Sequence, residues 1–380
     1  MVGYGVPHES FRVVARELPE IAMGPPFFFY ENVAQTPKGV WNKIKSALYE
    51  IEPEFIDSKF FCAAQRKRGY IHNLPLENRS PILPLPPLTI FEAVLETREW
   101  WPVWDKRQQL NCILTCQESA PVTDRIRSAL ETSNSNEPSE ETKQYIMKQC
   151  KTWNMVWTGK NTVSPLEPDE IEFIMGYPCS HTRGHSRSER LKGLGNSFQV
   201  HTIAYQLSVL KNLYPRGINV LSLFSGIGGA EVALHRIGIP MKNVVCVEIN
   251  PVCKKVIQGW WNNTDQKGNL VHVSDVREVT EEKLVSWISL FGGFDLVIGG
   301  SPCNNLAGGN RRTRDGLDGE HSSLFYEYVW ILKAVRRLMG RKKMHLMWLE
   351  KRESEVGTRT NGKNEDLTLR VAVGYEQKLT

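Results

Sequence analysis

A cysteine at the end of an apolar run offers the clearest chemistry in this sequence. Gly299-Gly300-Ser301-Pro302-Cys303 follows directly after Phe294-Asp295-Leu296-Val297-Ile298, a run that is typical of a buried strand. A cysteine on the loop that leaves such a strand can act as a nucleophile, because the attacking thiolate must be exposed to its substrate. A structural role is the alternative, since free cysteine is among the residue types most often buried.

A glycine-rich turn earlier in the chain predicts a cofactor other than NAD. Ser225-Gly226-Ile227-Gly228-Gly229 follows the apolar run Val220-Leu221-Ser222-Leu223-Phe224. A dinucleotide fingerprint needs a third glycine where this sequence has Glu231, whose side chain would keep the backbone away from a pyrophosphate. S-adenosyl-L-methionine has no phosphate, and its methionine part can lie against the bare backbone of a Phe-x-Gly-x-Gly turn. We therefore expect Phe224 and the turn 225–229 to bind S-adenosyl-L-methionine.

Two acidic residues follow the next two apolar runs and extend the predicted cofactor site. Glu248 ends the run Val244-Val245-Cys246-Val247, where it can accept hydrogen bonds from ribose hydroxyls. Asp275 follows Leu270-Val271-His272-Val273, where it can accept from the adenine amino group. Ligands bind at the carboxyl ends of the strands in an open parallel sheet. Each carboxylate could instead be a solvated residue at a strand end, but the turn, Glu248 with Ile249, and Asp275 with Val276 occur in the expected order.

Composition narrows the class of protein. The chain has 380 residues, 41% of them apolar, and a net charge of +5, which permits nucleic-acid binding without arguing for it. Its eight cysteines form no C-x-x-C pair, so we expect neither a disulfide framework nor a zinc ribbon. Cys179, His181 and His185 have metal-compatible spacing, but they lack a fourth ligand and are interpreted as loop residues. No signal peptide and no apolar run of about 18 residues is present.

The apolar pattern predicts an α/β protein with an inserted lobe. We expect a strand at 27–30, a helix around 40–51, an extended linker at 81–87, one helix over 200–213 and a helix over 230–237. Strands are expected at 220–224, 244–247, 270–273 and 294–298, and an amphipathic helix from Phe325 to Met339. From Gly340 onward, high charge predicts a disordered tail.

Four motifs together resemble one enzyme family. Glu31-Asn32-Val33, Gln65-Arg66-Lys67-Arg68, Gly195-Asn196-Ser197 and Pro302-Cys303 match those of cytosine-5 DNA methyltransferases. The order of the motifs is similar to that of the plant domains rearranged methyltransferase (DRM) family, because the first three precede the cofactor turn. The resemblance spans about residues 25–339 and implies a circularly permuted, Rossmann-like S-adenosylmethionine-dependent sheet. The implied segments are a first part of the catalytic core (20–80), a target-recognition lobe (81–165), the rest of the core (166–340) and a tail (341–380).

The resemblance also implies a mechanism. Cys303 adds to C6 of a cytosine flipped out of the duplex, while Glu31 holds the N3 atom and the amino group of the base. Arg68, and secondarily Arg66, supply positive charge beside the thiol, and Asn196 and Ser197 join the cofactor site. The glutamate could instead be a carboxylate at a helix start, and the arginines a solvated surface.

Further implications concern DNA and partners. Basic residues of the lobe and of the loop after Cys303 could contact double-stranded DNA: Arg98, Lys106, Arg107, Arg125, Arg127, Arg311, Arg312 and Arg314. Trp100, Trp101 and Trp104 are interpreted as core residues rather than base-stacking groups.

The family suggests a homodimer or a heterodimer with a related methyltransferase, small-RNA silencing partners, no membrane association and a nuclear location. The ubiquitin-associated modules usual in the family do not fit in the 24 residues before Pro25. A catalytically inactive regulatory paralogue and an RNA methyltransferase are the competing functions.

Overall fold

The structure is a computed structural model that describes residues 16–117, 120–132, 137–306 and 315–341. Residues up to Val335 form one compact unit, and the second unit, from Arg336, is described only over 336–341, which is helical. The predicted DNA contacts Arg311, Arg312 and Arg314, and the predicted tail beyond 341, lie outside the described residues.

Nine strands are described. They are β1 (Phe27–Val33), β2 (Glu54–Asp57), β3 (Lys67–His72), β4 (Met155–Gly159), β5 (Thr162–Pro165), β6 (Ile218–Leu223), β7 (Met241–Val247), β8 (Asn269–Val273) and β9 (Leu296–Gly299).

Helices cover the sheet and build the lobe. They are α1 (Val40–Ala47), α2 (Ile90–Ala93), α3 (Ala120–Glu131), α4 (Glu140–Trp153), α5 (Pro168–Met175), α6 (Arg187–Asn196), α7 (Val200–Leu207), α8 (Leu210–Leu213), α9 (Gly229–Arg236), α10 (Pro251–Asn263) and α11 (Glu281–Phe291). A last helix, α12, occupies residues 325–335 of the first unit. Within the described ranges, no helix is both long and apolar enough to cross a bilayer.

Seven strands form one sheet in the order β2-β3-β1-β9-β6-β7-β8. The strands β1, β9, β6, β7 and β8 run parallel, whereas β3 and β2 are antiparallel to their neighbours. Every residue of β6 and of β9 is buried, as expected for strands covered on both faces. The predicted open α/β sheet is confirmed, and the antiparallel edge is a feature that the apolar pattern did not predict.

The strand order creates a crevice at the end of β6. From β6 the chain moves outward to β7 and β8, and then returns to the other side of β6 as β9. Ligands bind in open α/β sheets at the point where the strand order reverses, beyond the carboxyl ends of the strands. The turn after β6 and the cysteine loop after β9 both lie at this point. The first strand described, β1, pairs with β9, the last strand described.

Two predicted elements differ from the structure. The expected helix over 200–213 is divided into α7 and α8, with a turn at Ser208 and Val209. The Ser208 hydroxyl donates to the carbonyl oxygen of Tyr205 at 2.7 Å. Such hydrogen bonds from a side chain to the preceding turn compete with regular helix geometry. Phe224 is not a strand residue, because its φ of 56° begins the cofactor turn.

The lobe has a small core of its own. The helices α3 and α4 pack against the hairpin β4–β5, whose antiparallel strands are separate from the main sheet. The buried residues of this core include Ile126, Ile146, Cys150 and Trp157. The linker at 81–87 contains no helix or strand, as its prolines predict.

Candidate active site

The pairing of β1 with β9 brings Glu31 to the cysteine loop. In the parallel register Tyr30 lies opposite Gly299, so Glu31 lies beside Gly300, at the start of the loop. A Cβ atom on Gly300 would lie 2.9 Å from the carbonyl oxygen of Glu31 and 3.1 Å from its Oε2 atom. A glycine is therefore needed here for the carboxylate and the loop to approach so closely.

Arg68 holds the Glu31 carboxylate from the other side. The strands β1 and β3 are antiparallel, with Val33 opposite Arg68, and the Nε atom of Arg68 lies 2.8 Å from Oε1 of Glu31. The two side chains are only 12% and 11% exposed. An ion pair so shielded from water is weakly screened, so Arg68 fixes the orientation of the Glu31 side chain.

The environment of Cys303 contains opposing influences. Burial raises the pKa of the Cys303 thiol; the positive charge of Arg68 lowers this pKa, the carboxylate of Glu31 raises it, and Arg66 lowers it again. Burial dominates, so the net pKa lies above the ordinary value. Arg68 and Arg66 lower the pKa of Cys303, as expected, but in the free protein this effect is smaller than the increase caused by burial.

Arg66 joins two distant segments of the chain. Its guanidinium donates to the carbonyl oxygens of Gly195 at 3.1 Å and Ser197 at 2.5 Å, and Arg66 is buried. It thereby ties the start of β3 to the Gly-Asn-Ser segment at the end of α6. Arg66 acts on Cys303 through its charge while its hydrogen bonds hold the backbone.

The turn after β6 has the conformation that its glycines allow. Gly226 and Gly228 have φ values of 56° and 83°, in the left-handed region that glycine adopts without steric cost. A Cβ atom on Gly226 would meet no atom within 4 Å, so the backbone faces open space. The N–H groups of Gly226 and Asn250 each donate to the Glu248 carboxylate at 2.8 Å, which orients this acceptor beside the turn.

One pocket of about 360 Å³ contains most of the predicted site. It brings together residues from β1, β3, α6, the β6 turn and the β9 loop. The predicted residues that line it are Glu31, Arg66, Arg68, Asn196, Ser197, Phe224, Ser225, Gly226, Gly229, Glu248, Ile249 and Cys303.

Four predicted cofactor residues do not line this pocket. Ile227 is buried. Gly228 lies against α10, since a Cβ atom on Gly228 would lie 2.7 Å from Ile257. Asp275 accepts hydrogen bonds from Arg277, whose Nη2 atom lies 2.6 Å from Oδ2, and Val276 is buried. An adenine contact by Asp275 would have to compete with Arg277.

Several pocket residues were not predicted as site residues. Lys192, Asn250, Cys253 and His321 line the pocket. Lys192 lies one helical turn before Asn196 on α6, so the helical period could have indicated it. His321 comes from a segment without a recognisable sequence pattern.

The remaining sequence predictions give mixed results. Arg107 is mostly buried and its charge is paired, because its Nη2 atom lies 2.8 Å from Oδ2 of Asp105, so DNA contact by this residue stays a prediction. Trp101 packs against Phe91, and Trp104 against Trp157, which agrees with a core role. The same prediction is wrong for Trp100, which is 40% exposed. The Nε2 atom of His181 lies 2.7 Å from the carbonyl oxygen of Ile227. Among the residues that the structure describes, no group of three or more potential metal ligands is found.

Comparisons with known proteins identify the family that the chain resembles. Residues 218–337 match the C-5 cytosine-specific DNA methylase family, whose members have the S-adenosylmethionine-dependent, Rossmann-like fold. The DNA (cytosine-5)-methyltransferases DRM2 of Oryza sativa subsp. japonica and of Arabidopsis thaliana are 60% and 58% identical, over 90% and 89% of this chain. A probable inactive DNA (cytosine-5)-methyltransferase, DRM3 of Oryza sativa subsp. japonica, is 42% identical over 86% of the chain and 48% of its own length. This chain spans 56% and 55% of the two DRM2 proteins, about half of their length.

Proposed function

We propose that this chain, which belongs to the DRM family of DNA (cytosine-5)-methyltransferases, methylates C5 of a cytosine flipped out of duplex DNA. The observation that carries the proposal is the shared pocket. Glu31 and Cys303, near opposite ends of the described chain, line it together with the glycine turn at Gly226. A nucleophile, a carboxylate and a cofactor turn in one pocket are the parts that this reaction needs.

The pocket fits S-adenosyl-L-methionine. Bound there, this cofactor supplies the electrophilic methyl group. The open backbone at Gly226 leaves room for its methionine part, and the oriented Glu248 carboxylate can accept from two ribose hydroxyls. Asn196 and Ser197 close the pocket on the α6 side. We keep Asp275 and Val276 as proposed adenine contacts, which require Arg277 to share or release the Asp275 carboxylate.

The catalytic roles follow from the positions of the side chains. The Cys303 thiolate adds to C6 of the base, and Glu31 holds the N3 atom and the amino group. After methyl transfer to C5, loss of the C5 proton restores the ring and releases Cys303. Arg68 keeps Glu31 oriented and lowers the pKa of Cys303, so it serves both partners.

DNA binding is supported by a basic cleft beside the pocket. The cleft has a volume of about 750 Å³, and its lining includes Lys59, Lys106 and Lys151 but no Asp or Glu among the described residues. It also includes Gln65, which precedes Arg66. Cations and amide groups of this kind bind phosphate and position a duplex without reading its sequence. We place the DNA backbone along this side of the lobe, within the proposed segment 81–165.

Family resemblance supports the wider biological proposals. These are de novo methylation in RNA-directed gene silencing, a nuclear location, small-RNA silencing partners, and a homodimer or a heterodimer with a related methyltransferase. The proposed segments 20–80 and 166–340 would together form the catalytic core.

The competing function is a catalytically inactive regulatory paralogue. One relative is named as a probable inactive enzyme. This chain retains Cys303, Glu31, Arg68 and the glycine turn in one pocket, which favours catalysis.

The proposal is tested with labelled S-adenosylmethionine and an unmethylated duplex. We expect the wild-type protein to label the DNA, Cys303→Ala to label it at background level, and Cys179→Ala, which changes an exposed cysteine, to behave as wild type. Label transfer by Cys303→Ala would reject the assigned nucleophile. Bound but unlabelled DNA with the wild-type protein would favour the regulatory function, and transfer only to tRNA would favour an RNA methyltransferase.

A further inference from the structure

A buried tyrosine hydroxyl lies directly beneath the cysteine loop. Tyr30 precedes Glu31 in β1 and is 0% exposed. Its Oη atom lies 2.8 Å from the Oγ atom of Ser301, two residues before Cys303. The three preceding residues of the strand are Phe27, Phe28 and Phe29, all buried, so a phenylalanine side chain is well accommodated in this strand.

The side chain of Asn32 joins the Tyr30–Ser301 hydrogen bond to the backbone of the loop. The N–H group of Val33 donates to Oδ1 of Asn32 at 2.8 Å, which fixes the orientation of the Asn32 amide. Its Nδ2 atom donates to Tyr30 Oη at 2.9 Å and to the carbonyl oxygen of Ser301 at 3.2 Å. Because an amide nitrogen only donates, the Tyr30 oxygen is an acceptor there, and either hydroxyl of the Tyr30–Ser301 pair can be the donor to the other.

Aromatic packing immobilises the Tyr30 ring. Its centroid lies 5.2 Å from that of Phe325 and 5.0 Å from that of Tyr328, both on α12. Placing a hydroxyl in such apolar surroundings is unfavourable unless it is hydrogen-bonded. Burial raises the pKa of Tyr30 well above its ordinary value, so the hydroxyl keeps its proton at working pH.

We propose that Tyr30 is a positioning residue, which anchors the Ser301-Pro302-Cys303 loop to β1 and thereby sets the Cys303 thiol opposite Glu31. Tyr30 and Asn32 lie on one face of the strand and Glu31 on the other, because strand side chains alternate. One short stretch of backbone therefore carries both the anchor of the nucleophile loop and the carboxylate that faces the base. The catalytic part of this inference rests on the proposed function, whereas the anchoring of the loop does not.

Tyr30→Phe tests the inference, since it removes only the hydroxyl. We expect kcat to fall about tenfold, which corresponds to about 1.4 kcal/mol, with the KM for S-adenosylmethionine within about twofold of wild type. The released loop should expose Cys303, so its alkylation by iodoacetamide, followed by peptide mass spectrometry, should become about threefold faster or more. Ser301→Ala should reproduce both changes.

Tyr328→Phe is the matched control. It removes another buried hydroxyl from the same aromatic cluster, but this hydroxyl donates to the carbonyl oxygen of Val297 within β9 at 3.4 Å and does not contact the loop. We expect its kcat and its Cys303 alkylation rate to stay within about twofold of wild type. The double variant Tyr30→Phe/Ser301→Ala should be no slower than either single variant, because both remove one shared interaction.

Two results would overturn the inference. One is an alkylation rate at Cys303 in Tyr30→Phe and Ser301→Ala equal to that in Tyr328→Phe. The other is a lowered melting temperature in Tyr30→Phe with unchanged kcat, which would mean a purely structural hydroxyl. If the wild-type protein transfers no methyl group, the proposed function fails, and the alkylation comparison still decides whether Tyr30 holds the loop.

Discussion

At the scale of single residues, the ionisation of Cys303 is the property that the site controls most closely. Burial raises the pKa of the thiol, Arg68 lowers it and Glu31 raises it. A raised pKa keeps the thiol protonated and unreactive in the free protein. A base that engages the Glu31 carboxylate would remove part of the negative charge beside the sulfur, so substrate binding itself can promote the thiolate.

Glu31→Gln tests this coupling. Replacing the carboxylate by an amide removes a negative charge and leaves Arg68 without its counter-ion, and both effects lower the pKa of Cys303. We expect alkylation of Cys303 at neutral pH to become faster and its pH profile to move to lower pH, while methyl transfer becomes at least about a hundredfold slower. Asp275→Asn is the control and should leave the alkylation profile unchanged. A profile displaced to higher pH would contradict the account.

Sequence motifs located the reactive residues but not the residues that hold them. Cys303, Glu31, Arg68 and Glu248 were predicted because their types and order match a known set of motifs. The anchoring role of Tyr30 was missed, because its hydrogen-bond partner Ser301 becomes its neighbour only when β1 pairs with β9. The Arg277 hydrogen bonds to Asp275 were missed for a different reason, since a sequence-adjacent arginine has no fixed direction until the turn after β8 is formed.

At the scale of secondary structure, the turn between β6 and α9 depends on Gly228. This residue has a φ of 83° and begins α9 as its N-cap, and an added Cβ would lie 2.7 Å from the side chain of Ile257 on α10. The left-handed conformation alone costs about 1–2 kcal/mol for a residue with a side chain. The conformation of the turn and the packing of α9 against α10 therefore both depend on the absence of a side chain at residue 228.

Gly228→Ala should lower both stability and cofactor affinity. We expect a destabilisation of about 2 kcal/mol or more and weaker binding of S-adenosylmethionine, measured by thermal unfolding and calorimetry. Gly259→Ala on α10 is the matched control, because its Cβ would meet no atom within 4 Å. That change should stabilise the protein by up to about 1 kcal/mol. Equal effects of the two substitutions would show that the turn does not need this conformation.

The apolar pattern predicted the buried parallel strands well and the sheet edge poorly. The core strands β6, β7 and β9 each contain a run of apolar residues, which is easily recognised. In β3 the sequence Lys67-Arg68-Gly69-Tyr70-Ile71-His72 has charged residues at its start, because Arg68 lines the pocket and pairs with Glu31, whereas Lys67 is exposed. The charged residues at the start of β3 thus obscure the apolar pattern that would indicate a strand. The helix α10, which contains Trp260 and Trp261, was not predicted from the sequence.

At the scale of the whole molecule, a buried charge cluster joins separate parts of the chain. His72 and Glu54 are fully buried on neighbouring strands, with the His72 Nε2 atom 2.9 Å from Glu54 Oε2. Arg79, from the start of the linker, lies 2.7 Å from Glu54 Oε1, and Arg16, from the first described residues, donates to the carbonyl oxygen of His72 at 2.6 Å. The cluster attaches both segments to the antiparallel edge of the sheet.

This cluster makes stability depend on pH. Burial lowers the pKa of His72 to about 3. At Glu54 burial raises the pKa of the carboxyl group, but Arg79 and His72 together lower it by more, to about 2. Between about pH 6.5 and about pH 3 the unfolded chain therefore binds a proton at residue 72 that the folded protein does not. Stability is present above this window and is lost as the pH falls through it.

We expect the protonation of residue 72 in the unfolded chain to lower the free energy of unfolding by about 2 kcal/mol from about pH 7 to about pH 5, measured by urea denaturation, beyond the contribution of His201, whose pKa burial lowers to about 4. His72→Gln should make the dependence shallower by this amount, whereas His235→Gln, which changes an exposed histidine, should retain it. The comparison uses the slope rather than the stability itself, so a general destabilisation by His72→Gln does not affect it. An unchanged slope in His72→Gln would contradict the role of the cluster.

The order of motifs predicted the circular permutation, since Glu31 and Arg68 precede the cofactor turn. The sequence did not predict which contacts join the inserted lobe to the catalytic core. The Gly195 segment packs against the lobe backbone, because a Cβ atom on Gly195 would lie 2.6 Å from the carbonyl oxygen of Leu114. Such contacts between segments far apart in the chain carry no local sequence signal.

Trapping the covalent bond to the base tests the central claim most directly. A duplex with 5-fluorocytosine at the target position, incubated with S-adenosylmethionine, should stay attached to the protein, because fluorine replaces the C5 proton whose loss releases the cysteine. We expect peptide mass spectrometry to place the adduct on Cys303 in the wild-type protein and in Cys179→Ala, and to find none in Cys303→Ala. An adduct on another cysteine, or methyl transfer without any adduct, would contradict the account.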